Sequence, residues 1–154
     1  MPKRVPAHLL HDMKPAVRKP PGRPVTRRDQ LLGERDRSQR LSRAYPDIEQ
    51  LHIELMFSET GVRAPAPSSQ LHILHGAAAA FFRFPCPCAD CDGDFDLATE
   101  IGTLLENGRG ARRTATRAGH MGCRGTRFRN HSTLQSACPT QLKFSLRSEP
   151  LVDG

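Results

Sequence analysis

Residues 51–57 read Leu51-His52-Ile53-Glu54-Leu55-Met56-Phe57, with an apolar side chain at every second position. That period of two belongs to a strand with one face on a core and the other toward water, and it sets the fold class. Residues 58–69 contain Gly61, Pro65 and Pro67 and read as a loop. Beyond them Leu71 and Ile73, then Ala80 to Phe84, supply two further short strands, and Leu142, Phe144 and Leu146 a last one. A small antiparallel sheet is the simplest product. Phe95, Leu97, Ile101, Leu104 and Leu105 recur at helical spacing before Asn107-Gly108, which predicts a helix over 96–106. The class expected is α+β, with one or two helices beside the sheet.

Upstream, six of the thirteen prolines fall within the first 24 residues among Lys3, Arg4, Lys14, Arg18, Lys19 and Arg23. Such a segment has little apolar surface to offset the entropy of ordering it. Residues 1–26 are therefore expected to be a disordered basic tail. From Thr26, a capable N-cap, the sequence predicts one basic helix over 27–44, ending before Pro46. A folded domain over 45–148 follows, with 149–154 as a short disordered end. Between the second helix and the last strand, Arg109, Arg112, Arg113, Arg117, Arg124, Arg127 and Arg129 make a basic run that reads as an irregular excursion.

Charge is blocked along the chain. Residues 1–43 hold 12 basic and 4 acidic groups (+8), 44–106 hold 2 and 10 (−8), and 107–154 hold 9 and 2 (+7), for a net +7. Leu, Ile, Val and Phe number 16, 4, 5 and 7, or 32 of 154. At about 21% that lies just above the level at which chains of high charge become disordered. A core this thin calls for a staple. The longest apolar run, Ala77 to Phe82, is too short to cross a bilayer, and residues 8–15 interrupt any export signal. A cytosolic, reduced protein is expected, in which five cysteines are not a disulfide framework.

The staple is sought in Pro85-Cys86-Pro87-Cys88-Ala89-Asp90-Cys91-Asp92-Gly93. Three thiols within six residues, stiffened by prolines, make a metal knuckle, and soft sulfur in a reducing compartment suits zinc. Four-coordination then needs distant ligands. Cys123 and Cys138 are the remaining thiols, with His120 and His131 in reserve. The expected set is Cys88, Cys91, Cys123 and Cys138, with Cys86 as a spare or a substitute for Cys88, in a zinc-ribbon or knuckle-like arrangement.

Two other metal readings use the same stretch. His52-Ile53-Glu54 followed by Pro87-Cys88-Ala89-Asp90-Cys91 resembles the signature of zinc-dependent nucleobase deaminases. The resemblance implies that His52, Cys88 and Cys91 hold zinc while Glu54 shuttles protons. It departs in context, because those enzymes carry His-x-Glu at the start of a helix and here it falls in a period-two strand. Asp90, Asp92, Asp94 and Asp96 suggest a calcium loop, but its sixth and twelfth positions are Phe95 and Ile101 rather than Gly and Glu. Asp94 or Asp96 is better read as the cap of the following helix.

The basic flanks are rich in arginine, whose planar guanidinium binds phosphates bidentately and stacks on bases. Arg27, Arg28, Arg35, Arg112, Arg113, Arg117, Arg124, Arg127 and Arg129 are the candidate contacts for nucleic acid. The alternative partner is an acidic protein, or the chain's own acidic middle. Aromatic content is 5%, and Phe81, Phe82 and Phe84 are expected in the core, so binding should be led by the phosphate backbone rather than by stacking. No phosphate-binding glycine loop or Gly-x-Ser-x-Gly elbow is present. The reading leans toward a non-enzymatic binding protein.

Overall fold

The computed structural model describes residues 26–59, 64–88, 90–108, 113–128 and 135–152. Most of the expected disordered tail, the end at 153–154, Ala89, Arg112, Arg129 and His131 lie outside the described residues.

The period-two segment is one of the two inner strands of a four-stranded antiparallel sheet. β1 (Ile48–Ser58) pairs on one side with β2 (Ser68–His75) and on the other with β8 (Gln141–Pro150), which also pairs with β5 (Ala115–Gly122). The strand order is β2-β1-β8-β5. Leu51, Ile53, Leu55 and Phe57 are buried, and opposite them on β8 lie Leu142, Phe144 and Leu146, also buried. The last strand is longer than its apolar triplet predicts, because its register with β1 continues through Glu149 and Pro150. Gly119 on β5 faces Phe144. A Cβ there would lie 2.6 Å from the ring, so the strand comes close enough for the phenyl group to lie across it.

The helix over 96–106 is present as α3 (Ala98–Gly108). It buries Ile101, Leu104 and Leu105 beneath β5 and β8, and the Arg117 guanidinium on β5 pairs with Glu100. Asp96 caps it, its Oδ1 accepting from the Ala98 N–H at 2.9 Å. Asp94 instead receives Arg27 at 2.5 Å and Arg83 at 2.8 Å, fixing the first helix to the body.

The single helix expected over 27–44 is broken in two. α1 (Arg27–Asp36) begins with a capping box between Thr26 and Asp29, and α2 (Leu41–Ala44) is one turn. Tertiary pairing breaks it. The Ala80 N–H donates to Gln39 O at 2.8 Å and the Leu41 N–H to Ala78 O at 2.7 Å, so 39–41 runs extended against 78–80 and Leu41 is buried. Helix propensity yields here to a better-anchored backbone.

Within its described residues the Arg-rich excursion is not irregular. It contains β5, β6 (Thr126–Phe128) and β7 (Gln135–Ala137), the last two forming a hairpin, while β3 (Arg83–Pro85) and β4 (Asp94–Asp96) form another. Among the described residues no helix is long and apolar enough to cross a membrane.

Candidate metal centre

The two hairpins bring four cysteines together. Cys86 follows β3 and Cys91 precedes β4 in one hairpin; Cys123 precedes β6 and Cys138 follows β7 in the other. Their four Sγ atoms lie within 4.8 Å of one another, with 3.8 Å between Cys86 and Cys138 and 3.5 Å between Cys91 and Cys123. A disulfide would need about 2.05 Å. Four sulfurs each about 2.3 Å from one central ion form a tetrahedron with edges of about 3.8 Å. The cluster can therefore hold a metal ion.

The two halves of the site repeat each other. Cys91-Asp92-Gly93 turns so that the Gly93 N–H donates to Cys91 Sγ at 3.2 Å, and Cys123-Arg124-Gly125 turns so that the Gly125 N–H donates to Cys123 Sγ at 3.3 Å. Each glycine carbonyl then accepts from the other cysteine of its half: Cys86 N–H to Gly93 O at 3.0 Å, Cys138 N–H to Gly125 O at 3.1 Å. A main-chain N–H aimed at sulfur favours the thiolate and orients it. The halves are clamped where Asp92 Oδ1 accepts from the Thr126 N–H at 2.9 Å.

The fifth thiol is excluded. Cys88 stands outside the cluster, half-buried, with Arg127 Nε donating to its Sγ at 3.0 Å. Cys86, the expected spare, takes the place expected of Cys88. The reason is topological: Cys86 directly continues β3 and is buried at 2% exposure, whereas Cys88 lies within the turn. The Arg127 guanidinium also pairs with Glu59, whose Oε1 accepts from the Thr140 hydroxyl at 3.2 Å. Nothing in the Cys-x-x-Cys spacing distinguishes these roles. The repeated Cys-x-Gly at 91–93 and 123–125 singles out Cys91 and Cys123 and leaves Cys86 and Cys88 alike.

Burial governs the thiols in the metal-free site. It pushes Cys86 up to about 12 and raises Cys91 further. Burial acts the same way on Cys138, but hydrogen bonds with Thr140 and with Cys91 and Cys86 outweigh it and bring that thiol down to about 7. An unfolded thiol titrates near 8.5. Above that pH the unfolded chain therefore holds fewer protons than the fold at Cys86 and Cys91, so stability conferred by those neutral thiols is lost as pH rises. Cys138 acts oppositely, but only between about pH 7 and 8.5. Any residual stability of the metal-free fold should thus decline above about pH 8.5. With metal bound, the melting temperature should fall on acidification toward about pH 5, because protons then compete for the ligands. Thermal melts of the metal-loaded protein across pH check that slope.

The deaminase-like pair is not part of the centre. His52 and Glu54 occupy the outer face of β1, where His52 Nε2 bonds Gln50 Oε1 at 3.0 Å, while Cys86 and Cys138 are buried with Leu51, Ile53 and Leu55 on the other side of the sheet. His120, held in reserve, is exposed on β5.

The arginine candidates divide. Arg27, Arg117 and Arg127 are taken by Asp94, Glu100 and Glu59, so the basic flanks are partly neutralised by the acidic middle of the same chain. Arg28, Arg35, Arg113 and Arg124 are exposed. Arg37, Arg40 and Arg43, which the sequence did not single out, join Arg28 and Arg35 on the α1–α2 segment; among the described residues these five arginines make one ion pair, a loose 4.0 Å contact of Arg35 with Asp36. Comparison with protein-family models, curated proteins and solved structures gives no match.

Proposed function

We propose that Cys86, Cys91, Cys123 and Cys138 hold one zinc ion as a structural, knuckle-like staple, and that the folded unit is a non-enzymatic protein that binds nucleic acid through phosphate contacts. The all-sulfur set with paired N–H···S bonds supports the first half, since a closed four-thiolate site leaves no open position for catalysis. The observation that carries the second half is the exposed arginine surface of α1–α2. There Arg28, Arg37, Arg40 and Arg43 form no ion pair among the described residues, while neighbouring Glu34 and Asp94 are already occupied by Arg83 and Arg27.

Metal analysis of untagged protein should give one zinc per chain; a cysteine-bound iron would announce itself by visible absorption. Affinity for random-sequence duplex should fall steeply with salt, and Arg37→Glu with Arg43→Glu should flatten the slope of log affinity against log salt by about 2. Salt-independent binding would refute the phosphate-led reading. Capture of an acidic protein that survives nuclease, without duplex binding, would replace nucleic acid as the partner.

A further inference from the structure

Between α1 and β2 lies a cavity of about 730 Å³, within the range of small-molecule sites. It exists because α1 is tied to the body by Arg27 and Arg83 and buries only Leu31, leaving Leu32 46% exposed across from Gln70, His72 and Leu74 of β2. Of the three phenylalanines expected in the core, Phe82 is buried, Phe84 packs half-buried against the core while also lining this cleft, and Phe81 lines the cleft half-buried.

From this juxtaposition of guanidinium groups at the mouth with aromatic rings at the wall, we infer that the cleft binds a nucleotide, either free or as an unpaired unit of a strand. Arg28, Arg35 and Arg40 all border the cavity and are exposed, against one carboxylate, Asp36. Three guanidinium groups exceed what one carboxylate ligand can use and match a phosphate, whose oxygens accept several charged donors at once. The wall suits a planar ring. His72 and Phe84 lie with ring centroids 5.0 Å apart, and burial lowers the His72 pKa, keeping its ring neutral. His72 Nε2 is bonded to Gln70 Oε1 at 3.1 Å, which leaves the Gln70 amide N–H groups and the far imidazole nitrogen available to the edge of a base. Leu31, Leu74 and Ala78 complete an apolar lining against which a base would be desolvated. The strand-borne form of this inference rests on the nucleic-acid reading above; the free-nucleotide form does not.

The test uses full-length metal-loaded protein, titrated calorimetrically with each nucleoside 5′-monophosphate, inorganic phosphate, oleate, a six-nucleotide single strand and a blunt duplex. Two variants at exposed positions keep the fold: Gln70→Trp, which places a bulky ring at the cleft, and Arg28→Glu with Arg40→Glu. A monophosphate should bind at least about tenfold tighter than inorganic phosphate, the value of one stacked base. Gln70→Trp should weaken it about tenfold while leaving duplex affinity within about twofold. The paired arginine reversal should weaken monophosphate and phosphate alike. If the single strand binds tighter than any monophosphate and is equally sensitive to Gln70→Trp, the ligand is strand-borne; if free nucleotide alone binds, it is a free nucleotide. Equal affinity for phosphate and nucleotide, oleate binding in place of nucleotide, or indifference of nucleotide binding to Gln70→Trp would each overturn the inference. Duplex binding that survives such a result would leave the phosphate-led reading standing. Nucleotide binding without duplex binding would do the reverse.

Discussion

Cys86→Ser should abolish both the bound zinc and the cooperative thermal transition, whereas Cys88→Ser should keep the zinc and most of the stability. The two residues are one proline apart, yet only Cys86 belongs to the four-thiol cluster. The size of the first effect follows from two magnitudes. Zinc held by thiolates in small domains contributes on the order of 10 kcal/mol, and the net stability of a domain is about 5 to 15 kcal/mol. A chain with 32 large aliphatic and Phe residues in 154 has little reserve once that contribution is gone. Ser is smaller and harder than Cys and does not replace thiolate at zinc. Cys88→Ser puts a shorter hydroxyl acceptor in place of the half-buried sulfur that takes the Arg127 Nε–H, and Arg127 retains Glu59; a loss of no more than about 1 kcal/mol is expected, the value of one hydrogen bond. Cys91→Ser, Cys123→Ser and Cys138→Ser should behave like Cys86→Ser. Zinc stoichiometry and melting of the five single variants check the set. Zinc retained in Cys86→Ser and lost in Cys88→Ser would exchange their roles.

What the sequence discloses and what it hides divides along a physical line. Strand β1, helix α3 and strand β8 are legible because each buries large apolar side chains at a clean period, as in Leu51, Ile53, Leu55 and Phe57. Strand β5 is not. It reads Ala-Thr-Arg-Ala-Gly-His-Met-Gly, and its inward positions are Ala115, Arg117, Gly119 and Met121, so the alternation exists in burial but hardly in hydrophobicity. Gly119 lacks a side chain where Phe144 fills the space, and Arg117 is held by Glu100 of α3 rather than by an apolar core. The hairpins β3–β4 and β6–β7 are too short for any period to show, and their pairing is dictated by where the thiols must meet. A cysteine cluster able to hold a metal ion was readable and the choice between Cys86 and Cys88 was not, because spacing along the chain does not say which thiol continues a strand. Likewise, the basic and acidic blocks were visible. That Arg27, Arg117 and Arg127 are spent on Asp94, Glu100 and Glu59 depends on tertiary pairings the sequence does not announce.

Gly125→Ala should be nearly as damaging as loss of a thiol, though it changes no ligand. The two Cys-x-Gly turns meet glycine to glycine at the centre of the site. A Cβ on Gly125 would lie 2.5 Å from both Cα and N of Gly93 and 2.7 Å from Cys91 Sγ. A Cβ on Gly93 would lie 2.5 Å from Cys123 Sγ and 2.9 Å from the Gly125 backbone. These obstacles are main chain and ligand sulfur, which cannot swing aside as a surface side chain can. Relief requires the hairpins to separate, and separation withdraws Cys91 from Cys123 and strains the N–H···S bond each glycine makes. Overpacking a well-fitted interior costs about 1 to 3 kcal/mol, and here it is compounded by weaker metal binding. We expect Gly125→Ala and Gly93→Ala each to lower zinc affinity at least about a hundredfold, on the order of 3 kcal/mol, and to depress the melting temperature in excess zinc less than in limiting zinc, since added metal drives the fold by mass action. Gly102→Ala on α3 is the control. Apart from its chain neighbours and the backbone of its own helix, nothing lies within 4 Å of a Cβ there, and exchanging a helical Gly for Ala should stabilise by about 0.5 to 1 kcal/mol without touching zinc affinity. Competition with a chromophoric chelator, together with melts at two zinc concentrations, measures both quantities. Unchanged affinity in Gly125→Ala would mean that the two turns do not pack against each other in the metal-bound state.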